Sequence, residues 1–429
     1  MTTEEALVRR ANISALCRYN FFTSLAIGIV ANTVLSDALL LRMGFRPEQF
    51  AYAKSAMFIA PAICYELLAG YLQAKNRDRL VCLWCYALRV AVALLLPAMA
   101  LCTAKRPVLF WTAIFVFGLG YTLAAFANNS LSVLYRKIVP QEEFSKYSAR
   151  FFLLLSMPGS LCALLAARLL DRCAHFSNRA FFLLVVALEA GTMLFEVPAI
   201  VNLCRLKTDG AARPYRPSLR DNLAPILDAG YRKVLWMKIL YGFLIGFLMS
   251  FLTIYYLKVA RFSMFWFMLA TVSMSFISMG LSVCCGKFMD RQGYRVWLAG
   301  LALVTLAVGL VFAAWPTLLV AQLLFLCLLG GDGQSGLVGT LMGFMVNTAV
   351  GKFAPKASAA SYVAAGNLVG NLAVFFACIA AGGWYHFLEG HLATCGQPVV
   401  FRVYFLSCNI FPVIILALLW HSHNWEAES

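Results

Sequence analysis

The stretch Gly-Gly-Asp-Gly-Gln-Ser-Gly at 330–336 lies inside a long apolar run, 317–350. A carboxylate at Asp332, beside an amide at Gln334 and a hydroxyl at Ser335, could bind a polar solute, ligate a cation or take up a proton. The surrounding glycines let backbone or ligand approach closely and permit a local break in a helix. The plainer reading is a hinge whose Asp caps a broken helix.

Other ionisable groups interrupt other apolar runs. Glu66 lies in 50–73, Arg89 in 80–102, and Glu189 and Glu196 in 180–204. A charge at membrane depth is expensive, so each is a functional candidate. At 1.5 Å per helical residue, Glu66, Arg89 and Glu196 stand roughly 10–14 Å from the ends of their runs. A buried Arg needs a carboxylate, so Arg89 is expected to form a structural ion pair with Glu196 or Glu66. The carboxylate left over becomes a coupling candidate, able to take up and release a proton. Glu189, about 10 Å further out on its helix, competes for that role.

Neutral amides recur at Asn20 and Asn32, Asn128 and Asn129, and Asn367 and Asn371. Such amides ligate polar solutes, and they also join helices by hydrogen bonds. Asn32, Asn129 and Asn371 are kept as binding candidates. Tyr241, Tyr255 and Tyr256 could stack on a ring, with Tyr255 retained, although membrane aromatics more often pack or anchor. No enzyme constellation emerges. The five histidines (His175, His386, His391, His421, His423) have no zincin spacing. No glycine-rich lysine loop for phosphate is present, which argues against an ATP-driven pump; no cofactor and no metal are expected. Cys82 and Cys85 form a CxxC with no second pair and read as small apolar filler. Cys173 and Cys395 fall in external loops of opposite halves, where a disulfide would clamp parts that must move.

These groups must be positioned by membrane helices. The chain is 62% hydrophobic and 13% charged, against about a quarter charged in soluble domains. Twelve runs approach or exceed the roughly 20 apolar residues that span a bilayer: 15–41, 50–73, 80–102, 108–135, 147–170, 180–204, 234–258, 263–285, 296–314, 317–350, 358–387 and 402–421. Lipid offers the backbone no hydrogen-bond partner, which requires helices. The first run follows an Arg-containing start without a small-residue cleavage site and reads as a helix that stays. The net charge of +16 would suit nucleic acid, but the basic residues cluster in alternate loops. That positive-inside bias places both termini in the cytoplasm and excludes nucleic acid as partner. The longest polar stretch, 205–233, divides the chain into 1–204 and 234–429. Its second part, Ser218 to Arg232, has a Ser cap and helical apolar spacing, so a cytoplasmic amphipathic helix is expected.

The two halves repeat. Gly-Lys-Phe-Met-Asp-Arg-Gln-Gly-Tyr-Arg at 286–295 reads as a polar loop, and a degraded copy, Gly-Tyr-Leu-Gln-Ala-Lys-Asn-Arg-Asp-Arg, sits at 70–79. Pro140 and Tyr147 recur as Pro355 and Tyr362, 215 residues on. The pattern G-x-L-x-D-R-x-G-x-R, once per half, resembles the loop signature of the major facilitator superfamily. Gly286, Asp290, Arg291, Gly293 and Arg295 carry it in the second copy, Gly70 and Leu72 in the first, where Ala74 replaces the Asp.

The resemblance implies an all-α membrane protein with twelve transmembrane helices in two pseudo-symmetric six-helix bundles. It implies alternating access and places Asp332 on a cavity-lining helix. It also implies a gate in which Asp290 meets Arg150, the symmetry partners having become Ala74 and Ala365. The function expected is secondary active transport of a small polar organic solute, a symport with proton or sodium, by a monomer in a bacterial inner membrane. Two other readings stay open: a multidrug or lipid exporter, and a transporter-shaped sensor or scaffold that moves nothing. Ser156-Met157-Pro158-Gly159 stands where a drug-antiporter signature would lie, and sugar- and peptide-porter signatures are missing, so no subfamily follows.

Overall fold

The computed structural model describes residues 3–30, 33–74, 78–103, 105–139, 144–173, 177–207, 225–292, 294–330, 336–352 and 359–421. The long elements are helices: α1 Thr3–Val30, α2 Thr33–Arg42, α3 Pro47–Ala74, α4 Asp78–Cys102, α5 Arg106–Ile138, α6 Phe144–Arg172 and α7 Asn178–Cys204. They continue as α8 Ala229–Ile254, α9 Met264–Gln292, α10 Tyr294–Ala314, α11 Leu319–Leu329, α12 Leu337–Lys352, α13 Ala359–Leu392, α14 Gln397–Cys408 and α15 Ile410–His421. No strand occurs among the described residues. Nine segments among them are long and apolar enough to cross a membrane. Together with α3, α9 and the broken α11–α12 pair they make the twelve-helix layout. Large apolar side chains stay outside on these helices, among them Trp84, Trp111, Trp266 and Trp420, as lipid-facing surfaces require.

The chain forms two compact units. Unit 1 comprises residues 1–44 and 63–217; unit 2 comprises 45–62 and 218–429. Within unit 1, α1 packs on α6 and α7, and α4 on α5 and α7. The α1–α6 crossing is close because it is built from small residues. A Cβ added to Gly28 would lie 2.3 Å from the Gly159 carbonyl oxygen. Pro158 precedes Gly159 inside α6, and the Gly159 N–H donates to Ser24 Oγ at 2.8 Å. Unit 2 repeats the device between α8 and α13. A Cβ on Gly246 would meet the Ala377 Cβ at 2.5 Å, and one on Gly242 the Ala373 Cβ at 2.9 Å.

The repeat also shows at helix ends, where the last carbonyls lack partners. Arg79 donates to the carbonyls of Cys204 (3.4 Å) and Leu206 (2.9 Å), closing α7. Arg295, 216 residues later, donates to the Leu419 carbonyl at 2.9 Å in the last turns of α15. Both are the final Arg of their motif copy.

Three expectations about local structure are corrected. The motif at 286–295 is mostly helix, because α9 runs to Gln292 and α10 starts at Tyr294. Likewise α3 runs to Ala74 and α4 starts at Asp78. Charges at a helix end facing water leave the backbone ladder intact, so polarity there does not mark a loop. The seventh span starts at Ala229 rather than 234. Asp228 caps it by accepting from the N–H groups of Gly230 (2.9 Å) and Tyr231 (3.4 Å). Residues 229–232 therefore belong to α8, and 218–224 of the expected amphipathic helix lie outside the described residues.

Candidate functional site

On α7, Glu189, Thr192, Glu196, Ala199 and Leu203 are all buried. Their spacing of three and four puts them on one face, the face that packs on α1 and α4. On α4 the buried face carries Cys82, Tyr86 and Arg89. Two apolar-looking helices therefore turn polar stripes toward each other inside unit 1.

Arg89 and Glu189 line one cavity of about 40 Å³ together with Ser36, Phe117, Gly120 and Tyr121. A second cavity of about 20 Å³, lined by Leu170 and Val185 among others, touches Glu189 and Ser36 as well. The first has room for a few waters, each needing about 10–15 Å³ on this measure. The Arg89 guanidinium lies over the Tyr121 ring, 5.7 Å from its centroid. Oε2 of Glu189 and Oε1 of Glu196 are buried and accept no hydrogen bond among the described residues. Of the two partners expected for Arg89, Glu196 does not close an ion pair although the two interact electrostatically, and the Glu66 side chain lies outside the described residues. Among the described residues Arg89 has an aromatic face.

Below this cluster a polar ladder joins α1, α4 and α5. Tyr19 hydroxyl and Cys82 Sγ are hydrogen-bonded at 3.1 Å. Tyr86 donates to Asn128, and Tyr135 donates to Asn20 at 2.6 Å. The Asn20 amide nitrogen is buried with no acceptor among the described residues. Cys82 is thus a hydrogen-bonded core thiol, and Cys173 and Cys395 are both free.

The structure distributes the remaining candidates unevenly. Asp332, Gln334, Ser335, Asn32 and Gly293 lie outside the described residues. Their flanks are informative, since α11 ends at Leu329, Gly330 has φ 80°, and α12 starts at Leu337. A Cβ on Gly336 would lie 2.3 Å from the Gly330 nitrogen, so the chain comes back against the end of α11, as the glycines permit. Glu66 and Gly70 in α3, Asn129 in α5, and Gly286, Asp290 and Arg291 in α9 are helical; their side chains are outside the described set. Arg150 is exposed and Asn371 half-buried.

Tyr255 packs in the interior of unit 2. It is buried, donates to the Pro316 carbonyl at 2.7 Å, and is surrounded by Phe312, Phe401 and Phe405. It opens a π-helical turn, Tyr255–Val259. Tyr256 and Tyr241 are likewise buried with satisfied hydroxyls.

Buried charges outside the candidates include Asp37 and Lys54. Asp37 on α2 is 1% exposed, and it is the sole acid of the run 15–41. Lys54 on α3 is 1% exposed and donates to the Met249 carbonyl at 2.5 Å, within unit 2.

The family model of the Major Facilitator Superfamily matches residues 13–378. No curated protein sequence matches the chain. Among solved structures, the nucleoside transporter NupG is 16% identical with a TM-score of 0.65, covering 96% of this chain and 98% of its own. A bacterial homolog of the human lysosomal transporter Spinster is 12% identical, TM-score 0.65, covering 100% and 98%. The E. coli fucose:proton symporter FucP is 14% identical, TM-score 0.56, covering 95% and 98%. At these identities the likeness is one of fold.

Proposed function

The chain belongs to the major facilitator superfamily, and from that premise we propose that this secondary transporter moves a small hydroxylated solute, sugar- or nucleoside-like, in symport with protons. The observation that carries the reading is the pair of α7 carboxylates, Glu189 and Glu196, buried in unit 1, each with one oxygen that accepts no hydrogen bond among the described residues. Ionised and unpaired, such groups are too costly to keep without a role; able to gain and lose a proton, they suit coupling. The solute class is supported by the neutral amide of Asn371 on a span and by two structural relatives named as a nucleoside transporter and a fucose:proton symporter.

In this reading the bundles 1–204 and 234–429, linked by 205–233, alternate access to a solute site on the broken helix at 330–336. Asp332, Gln334 and Ser335 contact the solute there. Both termini face the cytoplasm of a bacterial cell, and Asp290 with Arg150 closes the cytoplasmic gate. The purified protein in proteoliposomes, given an inward pH gradient, should accumulate labelled uridine or L-fucose, and a protonophore should abolish the accumulation. Asp332→Asn should abolish it too while melting like the parent. Uptake of neither probe, or uptake indifferent to the protonophore, contradicts the reading.

A further inference from the structure

Arg89 has two buried carboxylates near it and is closed on neither. The hydrogen bonds from Arg79 to Cys204 and Leu206 hold the start of α4 level with the end of α7. Heights then follow from residue counts at 1.5 Å each: Glu196 about 12 Å, Arg89 about 15 Å and Glu189 about 22 Å from that level. Arg89 therefore stands between the two acids. It shares a cavity with Glu189 and interacts electrostatically with Glu196.

We propose that Arg89 is a two-position switch that pairs with whichever of Glu189 and Glu196 is ionised while the other holds a proton. The inference deepens the proton-coupled reading above and rests on it. The trio carries one guanidinium charge, one carboxylate charge and one carboxylic acid, so it stays neutral in both positions. With Arg89 on ionised Glu189 and Glu196 protonated, cavity water on the outer side protonates Glu189, the guanidinium turns inward to Glu196, and Glu196 gives its proton to the inner side. Transfer of the Glu189 proton to Glu196 returns Arg89 to Glu189, so each cycle moves one proton inward.

The surroundings suit such a switch. The groups facing Glu189 are Ser36 from α2, Arg89 from α4, Tyr121 from α5 and Leu170 from α6. Those felt electrostatically at Glu196 are Tyr19 from α1, and Cys82, Tyr86 and Arg89 from α4. Arg89 is the one cation among the described residues of either set, so the two acids compete for it.

The test reads proton binding rather than solute flux, so the switch can fail while transport stands, and transport can fail while the switch stands. The full chain in lipid nanodiscs is titrated with protons, and the infrared C=O stretch of protonated carboxyls is followed. Glu189→Gln should release Arg89 to Glu196 and move the remaining titration to lower pH by about one unit, roughly tenfold in proton affinity. Glu196→Gln should do the same for Glu189. Without Arg89, in Arg89→Leu or the more polar Arg89→Gln, both carboxyls should stay protonated to higher pH and the reciprocal shift should collapse. Midpoints that ignore the loss of the other acid overturn the switch, and this arm stands even if neither Arg89 variant folds. A reciprocal shift undiminished without Arg89 also overturns it, since that is plain repulsion between carboxylates.

Discussion

Unit 1 sets Arg89, Glu189 and Glu196 among hydroxyls from Ser36, Tyr121, Tyr86 and Tyr19, whereas the described interior of unit 2 is largely a knot of rings, with Lys54 as a buried cation. Phe312 stacks on Phe325 at 4.3 Å and Phe251 on Tyr385 at 4.6 Å, with Tyr255, Phe401, Tyr404 and Phe405 around them. Yet the units share their scaffold. Each has a glycine-lined crossing, Gly28 on Gly159 in one and Gly246 on Ala377 in the other. Each ends its last span on the final Arg of a motif copy, Arg79 or Arg295. The difference teaches that a duplicated bundle retains what every copy must solve, helix approach and helix termination. Its interior is free to become either ionisable or merely well packed.

If unit 2 uses its interior for stability, Phe312→Ala should lower the unfolding free energy by about 3–5 kcal/mol, the usual loss for a fully buried ring. A thermal melt within error of the parent would break the comparison. The crossings should be interchangeable in importance. Gly28→Ala and Gly246→Ala should each destabilise by about 1–3 kcal/mol or more through overpacking, and tolerance in one unit alone would show that the scaffold is not shared. Smaller and again matched, Arg79→Ala and Arg295→Ala should each cost about 1–2 kcal/mol for a charged hydrogen bond at a helix C-terminus. Equal shifts in melting temperature support the repeat, and unequal ones limit it to sequence.

The smallest effect is one of pH, at the start of α8 in unit 2. Tyr362 donates to Asp228 at 2.6 Å, and this bond, helped by the N–H groups of Gly230 and Tyr231, holds the carboxyl below its usual value. A carboxyl depressed on folding adds stability above its unfolded pKa of about 4, and that gain is lost as pH falls through the folded value. The parent's advantage over Asp228→Asn in melting temperature should therefore shrink between about pH 6 and about pH 3. In unit 1 the repeat mate Tyr147 faces the Phe151 ring at 6.2 Å.

The twelve spans were legible because bilayer thickness sets the length of an apolar run. The break near 330–336 was legible because glycines at that density have few other uses inside a helix. The half-chain offset was legible too, and it reappears in the helix caps of Arg79 and Arg295. Side-chain partners were not. An apolar run averages over single charges, which hid Asp37 and Lys54. Arg89 and Glu196 were paired on charge and depth, but whether a guanidinium closes on a carboxylate or lies over Tyr121 depends on neighbours from a third helix. Tyr255 read as a stacking surface because its type suits one; its actual surroundings come from residues more than 50 positions away, Phe312, Phe401 and Phe405.

The central claim is that unit 1 carries the proton, and Glu189→Gln tests it most directly. The variant should be compared with the parent in proteoliposomes, using whichever of uridine and L-fucose the parent accumulates. Equilibrium exchange of the probe needs no net proton movement, and accumulation driven by a pH gradient does. The account predicts that Glu189→Gln exchanges the probe at a rate near the parent's, melts no lower than the parent, and loses gradient-driven accumulation. Accumulation at the parent's level would contradict it.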